Sequence, residues 1–140
     1  MPELNIVEKV IALEAVDLLK NLSAEQLSRI GSIAREARYP PGKVIMSPDS
    51  NPDALFVILE GSVSMSRDDA ELHVAKENEV LGAWALFDPE PMAVTAKAVS
   101  DVRLLRIGRD EFYDLLSDNS EITASIFAQL VKRFRQLVER

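Results

Sequence analysis

Cysteine is absent from the 140 residues, and histidine and tryptophan occur once each, as His73 and Trp84. Without Cys there is no disulfide, no thiol nucleophile and no thiolate metal site, and the absence fits a reducing, cytoplasmic setting. A single imidazole, with no carboxylate cluster beside it in sequence, makes neither a metal site nor a base for the serines. No apolar run approaches the ~18 residues of a membrane span, and no signal peptide is read at the start. Cations are also short: 16 Lys and Arg stand against 23 Asp and Glu, for a net charge of −7. A nucleic-acid binder needs the opposite balance. The one basic concentration, KRFRQLVER at 132–140, reads as a solvated helix face whose cations suit the C-terminal dipole. No G-x-S-x-G, P-loop or G-x-G-x-x-G is present, so no catalytic residue, cofactor or metal ligand is assigned and the chain is not read as an enzyme.

What is present is an ordinary globular composition, 47% hydrophobic and 28% charged, long enough for one domain over residues 1–140. The ends read as helices, over about 4–36 and about 110–139, and the middle, about 38–108, as strands. NIVEKVIAL places Ile6, Val7, Val10 and Ile11 on one helical stripe. SAEQ at 23–26 is a capping box, and Leu27, Ile30 and Ile33–Ala34 continue the helix behind it. After PPG at 40–42 come KVIM, ALFVILE, SVSMS, ELHVA, AVTAKA and VRLLRIG, divided by turn residues at the spacing of an all-β roll, barrel or sandwich. SVSMSRDDAELHV reads as a hairpin about RDD. DEFYDLL begins a helix with Asp110 as N-cap. The last segment carries Ile126/Phe127, Leu130, Phe134 and Leu137/Val138 at steps of three and four. Such a stripe either packs wholly on its own β-core or serves as a dimer helix.

The order of these elements, and the residues in them, resemble the cyclic-nucleotide-binding domain. YPPGKVIM is similar to the family's entry into its β-roll, and DALFVILEGSVSM to its next strand pair. VLGAWALFDPEPMAVTAKA is similar to the phosphate-binding cassette, and VRLLRIGRDEFYDLL to the strand and helix that follow it. The resemblance implies an α+β fold: an antiparallel β-roll flanked by N-terminal helices and a long C-terminal helix. In the family, backbone N–H groups after the cassette glycine meet the cyclic phosphate. An Arg pairs with its charge, a Glu takes the ribose hydroxyl, and a small hydroxyl residue adds another phosphate bond. Carried over, Gly82 is retained and the turn Ala83, Trp84, Ala85, Leu86 can supply backbone donors. The Glu position is Ala83, the Arg position Met92 and the hydroxyl position Ala93.

Binding of cyclic AMP or cyclic GMP in the family's usual way is therefore not expected. Trp84 and Met92 read as packing that fills a vacated pocket. Met65 and Leu72 fall at pocket-lining positions, or are simple roll core, and His73 lies near the pocket's mouth. Asp68/Asp69 and Asp88/Glu90 read as solvated turn residues. The implied function is a regulatory signalling or dimerisation module, acting through Phe127, Leu130, Phe134 and Leu137 on a second copy or on a fused effector. Neither nucleic acid nor membrane is expected to be touched by this chain. The second reading is a small-molecule sensor with an altered, more apolar pocket. A third, a transcription regulator of the catabolite-activator type, expects a helix-turn-helix after the long helix, and the sequence to Arg140 leaves no room for one. That reading stands only for a fragment of something longer.

Overall fold

The fold is described from a computed structural model for residues 3–49, 53–88 and 93–139. Two four-stranded antiparallel sheets build the roll. One has the order β1 (Arg35–Tyr39), β8 (Val102–Gly108), β3 (Ala54–Glu60), β6 (Val80–Leu81). The other runs β2 (Val44–Met46), β7 (Thr95–Ala98), β4 (Val63–Arg67), β5 (Ala70–Ala75). The strand period of two explains how one sheet serves two cores. On β3, Ala54, Phe56 and Ile58 join Val63, Ala75, Ala96 and Ala98 between the sheets. Leu55 and Val57, on the opposite face, pack with the helices. β8 divides likewise, with Val102 and Leu104 inside the roll and Leu105 and Ile107 on the helix side. Burial on both faces is why ALFVIL reads as an unbroken apolar run.

The helices cover the outer face of the first sheet. They are α1 (Ile6–Leu13), a 3-10 turn at Asp17–Leu19, α2 (Ala24–Gly31), α3 (Arg109–Asp118) and α4 (Ser120–Val138). Both N-terminal helices start at capping boxes, Asn5 with Glu8 and Ser23 with Gln26, which satisfy otherwise orphaned N–H donors. The β4–β5 hairpin turns on Asp68 and Asp69, whose φ values of 51° and 64° give the two left-handed residues that match the strand twist.

Three expectations need correction. α2 stops at Gly31, so Ile33 and Ala34 lie beyond it, and the polar segment REARY is strand β1 rather than helix. The N-cap of α3 is Gly108, while Asp110 sits in the first turn, where its charge suits the dipole. On the α1 stripe Val10 packs against the helix-side core, Ile6, Val7 and Ile11 are exposed, and the fully buried residue of the helix is Leu13. Finally, the roll begins at Arg35, a few residues before its expected edge.

β1 is an edge strand held by charge as well as by its ladder to β8. Glu36 and Arg103, only 6% and 11% exposed, meet with Nε to Oε2 at 3.3 Å, and the Leu4 N–H donates to the same carboxylate. Burial pushes the Glu36 carboxyl upward, but the bonds from Arg103 and Leu4 outweigh it, so its pKa lies below the ordinary 4.5. A lowered folded-state pKa stabilises above the unfolded value and loses that contribution as pH falls through the folded one. Glu36→Gln is expected to destabilise by about 3 kcal/mol, the low end for breaking a buried pair, because Glu60 also approaches Arg103 at 3.8 Å. Urea unfolding from about pH 6 down to about pH 3 should show a smaller acid loss in this variant than in the wild type.

Candidate functional site: a phosphate-cassette backbone without its charges

β6 pairs with β3 through Phe56↔Leu81 and Val57↔Val80, and ends at Gly82. Gly82 has φ +72°, and a Cβ there would lie 2.9 Å from the Ala54 carbonyl oxygen and 3.4 Å from the Met46 thioether. Only glycine fits both the backbone and the space. The chain then makes one 3-10 turn, Ala83–Leu86, closed by the Ala85 N–H donating to the Gly82 carbonyl at 2.9 Å.

Of the residues assigned to this site, Ala85 and Leu86 contribute backbone only. Their side chains are buried, and Leu86 belongs to the helix-side core, so it lines no ligand space. The Ala83 methyl is half-buried against the same core. Trp84 lies in the turn, but its side chain is outside the described residues, as are Glu90 and Met92. Ala93 is exposed beyond the loop.

Across the roll, a bulge in the β4–β5 pairing sets Leu72 and His73 both opposite Met65. Met65 packs against the inner core, whereas Leu72 is 55% exposed and so is not roll core. His73, which lacks a visible partner in the sequence, has one in space. Its Nε2 lies 2.7 Å from Oε2 of Glu79, and this bond, chiefly, holds the Glu79 carboxyl below its usual range. His73 stands on β5 and Glu79 on the segment leading into β6. No group of three or more metal-capable side chains occurs among the described residues.

Arg109 was not singled out from the sequence, where it is one more cation after Gly108. In the fold its Nε donates to the Ala85 carbonyl at 2.7 Å and its Nη2 to the Asp88 carbonyl at 3.4 Å. The start of α3 thus braces the end of the cassette turn. Phe87, next in the chain, meets Phe112 of α3 edge-on at 6.1 Å between ring centroids. It also helps line a cavity of about 60 Å³ with Leu116, Ile126, Phe127 and Leu130. Beyond that cavity the apolar stripe of α4 continues outward. Phe127, Phe134 and Leu137 are 63%, 66% and 64% exposed, and Leu130 is 38% exposed. The buried side of α4 is carried by Ile122 and Ile126 instead.

The sequence profile of the cyclic nucleotide-binding domain matches residues 36–119. The chain belongs to that family. It is 30% identical over 112 residues to a cAMP-dependent protein kinase regulatory subunit of Aspergillus fumigatus, covering 79% of this chain and 27% of the relative. It is 26% identical over 103 residues to a CRP-like cAMP-activated global transcriptional regulator of Mycobacterium tuberculosis, covering 70% of this chain and 46% of that one. The chain thus spans between about a quarter and a half of the length of these two relatives. Among solved structures, the N-terminal domain of a transcriptional regulator from Streptomyces coelicolor superposes with a TM-score of 0.83 at 26% identity, over 90% of this chain and 94% of that one. None of the described helices is long and apolar enough to cross a membrane.

Gly82→Ala should cost at least about 1–2 kcal/mol for the left-handed backbone alone, with the contact to the Ala54 carbonyl added. Chemical denaturation reads the loss. Faster amide exchange in residues 83–86 would locate it at the cassette.

Proposed function

We propose that this domain is a regulatory interaction module, and not a catalyst, whose cassette no longer binds a cyclic nucleotide by the family's usual contacts. The observation that carries the reading is the combination of a retained Gly82 turn with Ala83, Met92 and Ala93 at the positions of the ligand-binding side chains. A hydrogen bond to a charged group is worth roughly 1.5–3 kcal/mol. Loss of the Arg and Glu contacts together therefore removes about 3–6 kcal/mol, or about two to four decades in Kd. The relatives named above are a kinase regulatory subunit and a transcription regulator, and a regulatory role in a cytoplasmic protein agrees with both.

The working surface in this reading is the stripe Phe127, Leu130, Phe134, Leu137. The steps of three, four and three are those of a coiled-coil seam, and a second copy of the chain offers the matching stripe. A fused effector is the other occupant. The sensor reading keeps one specific observation in its favour, the His73–Glu79 bond with the exposed Leu72 next to it on β5.

Two experiments test the proposal. Titration with cyclic AMP and cyclic GMP to several millimolar, followed by the fluorescence of the sole Trp and by calorimetry, is expected to be flat. The triple change Ala83→Glu, Met92→Arg, Ala93→Ser should restore saturable binding. Saturation of the wild type at micromolar ligand would overturn the reading. Sedimentation equilibrium should give a dimer for the wild type and a monomer for Phe134→Glu, an exposed site where the charge leaves the fold intact.

A further inference from the structure

α4 has two unequal halves. Ile122 and Ile126 sink into the helix-side core, and among the described residues from 130 to 139 every one is exposed. Between these halves stands Gln129, only 4% exposed, the one polar residue among the described residues that is buried along with its backbone. Its Nε2 donates to Asp17 Oδ2 at 3.2 Å, and its Oε1 accepts from Asn21 Nδ2 at 3.2 Å. One turn further along the same face, Arg133 Nη1 donates to that same Asp17 oxygen at 2.6 Å. All of Gln129's partners lie in and just after the 3-10 turn Asp17–Leu19.

An amide buried where a Leu would pack as well costs free energy unless both its ends are paired. In return it accepts one arrangement, because sliding or tilting the helix strands the buried amide, whereas Asp17 and Arg133, 42% and 56% exposed, can turn to water. Burial pushes the Asp17 carboxyl upward, yet the bonds from Gln129 and Arg133 hold it below its usual range, which agrees with a made and favourable contact.

We infer that Asp17, Gln129 and Arg133 form a polar latch that fixes the direction in which the outer half of α4 leaves the domain. Residues 130–138 run about 14 Å at 1.5 Å per residue, and a free helix of that length is marginal in water. With the core contacts ending at Ile126, the latch is the last tie holding this segment, so opening it swings or frays the stripe-bearing arm. Asp17 and Arg133 are positioning residues in this account. The inference bears on the surface assigned above but does not need it to be a dimer.

The Cys-free chain suits a direct test. Spin labels at Lys97→Cys on β7 and Gln136→Cys on α4 report the arm's direction by pulsed electron resonance. The Phe134→Glu background, diluted with unlabelled chain, leaves intrachain distances only. One narrow distance is expected in this parent, and a shifted, broadened distribution in Asp17→Ala and in Arg133→Met. The double variant should add little to Asp17→Ala, since both remove one latch. Unchanged distributions in both single variants, with circular dichroism showing each folded, would overturn the inference. So would fully additive changes. A monomeric wild type in sedimentation would instead count against the dimer reading and leave the latch standing.

Discussion

Everything in this domain hangs from two strands buried on both faces. β3 and β8 form the most central pair of the first sheet, with registered partners running from Ala54↔Gly108 to Ile58↔Leu104. Because each strand sends alternate side chains to the roll interior and to the helices, a slip of one residue would exchange the two cores at once. That constraint fixes everything attached to the pair. β6 hydrogen-bonds to β3 and delivers Gly82, while β8 runs directly into α3. The cassette and the C-terminal helices are therefore two attachments to one rigid plane.

Between those attachments runs a short chain of contacts. Arg109, first residue of α3, holds the carbonyls that end the cassette turn, and Phe87 lies on Phe112 and against the root of the α4 stripe. Such a layout can pass a change in the turn to α4 whether or not a nucleotide provokes it. These contacts rest on backbone carbonyls and on one ring pair, in which Phe112 is buried and Phe87 partly exposed.

The parts legible in the sequence are those written in local chemistry. The Ser23–Gln26 capping box, the RDDA turn with two left-handed aspartates, and the doubly buried ALFVIL each follow from residues close in the chain. β1 was illegible because REARY carries its meaning in Glu36, whose partner Arg103 is 67 residues away. The α1 stripe left its partner unnamed for a related reason. Periodicity reports that a face is apolar, not which neighbour covers it, and Leu13 rather than Ile6 or Ile11 meets the core. The His73–Glu79 bond likewise forms only when the bulge at Leu72 turns β5 toward the segment before β6. In the cassette, the glycine and its turn could be named from the resemblance, but the burial of Leu86 toward the helices could not.

The same division between local and tertiary information governs α4. Its amphipathic repeat is wide enough for a core face plus a second face, and the fold divides it in that way. Ile122 and Ile126 are spent on the domain's own core, whereas Phe127, Phe134 and Leu137 are left outside. A helix committed wholly to the core would need no polar residue at Gln129, and a helix committed wholly to a partner would need no tie to Asp17. The buried amide sits where one role gives way to the other. At that point an apolar side chain would pack nearly as well but would tolerate many tilts of the helix. The hydrogen-bonded one tolerates a single tilt, which is what the inferred latch requires.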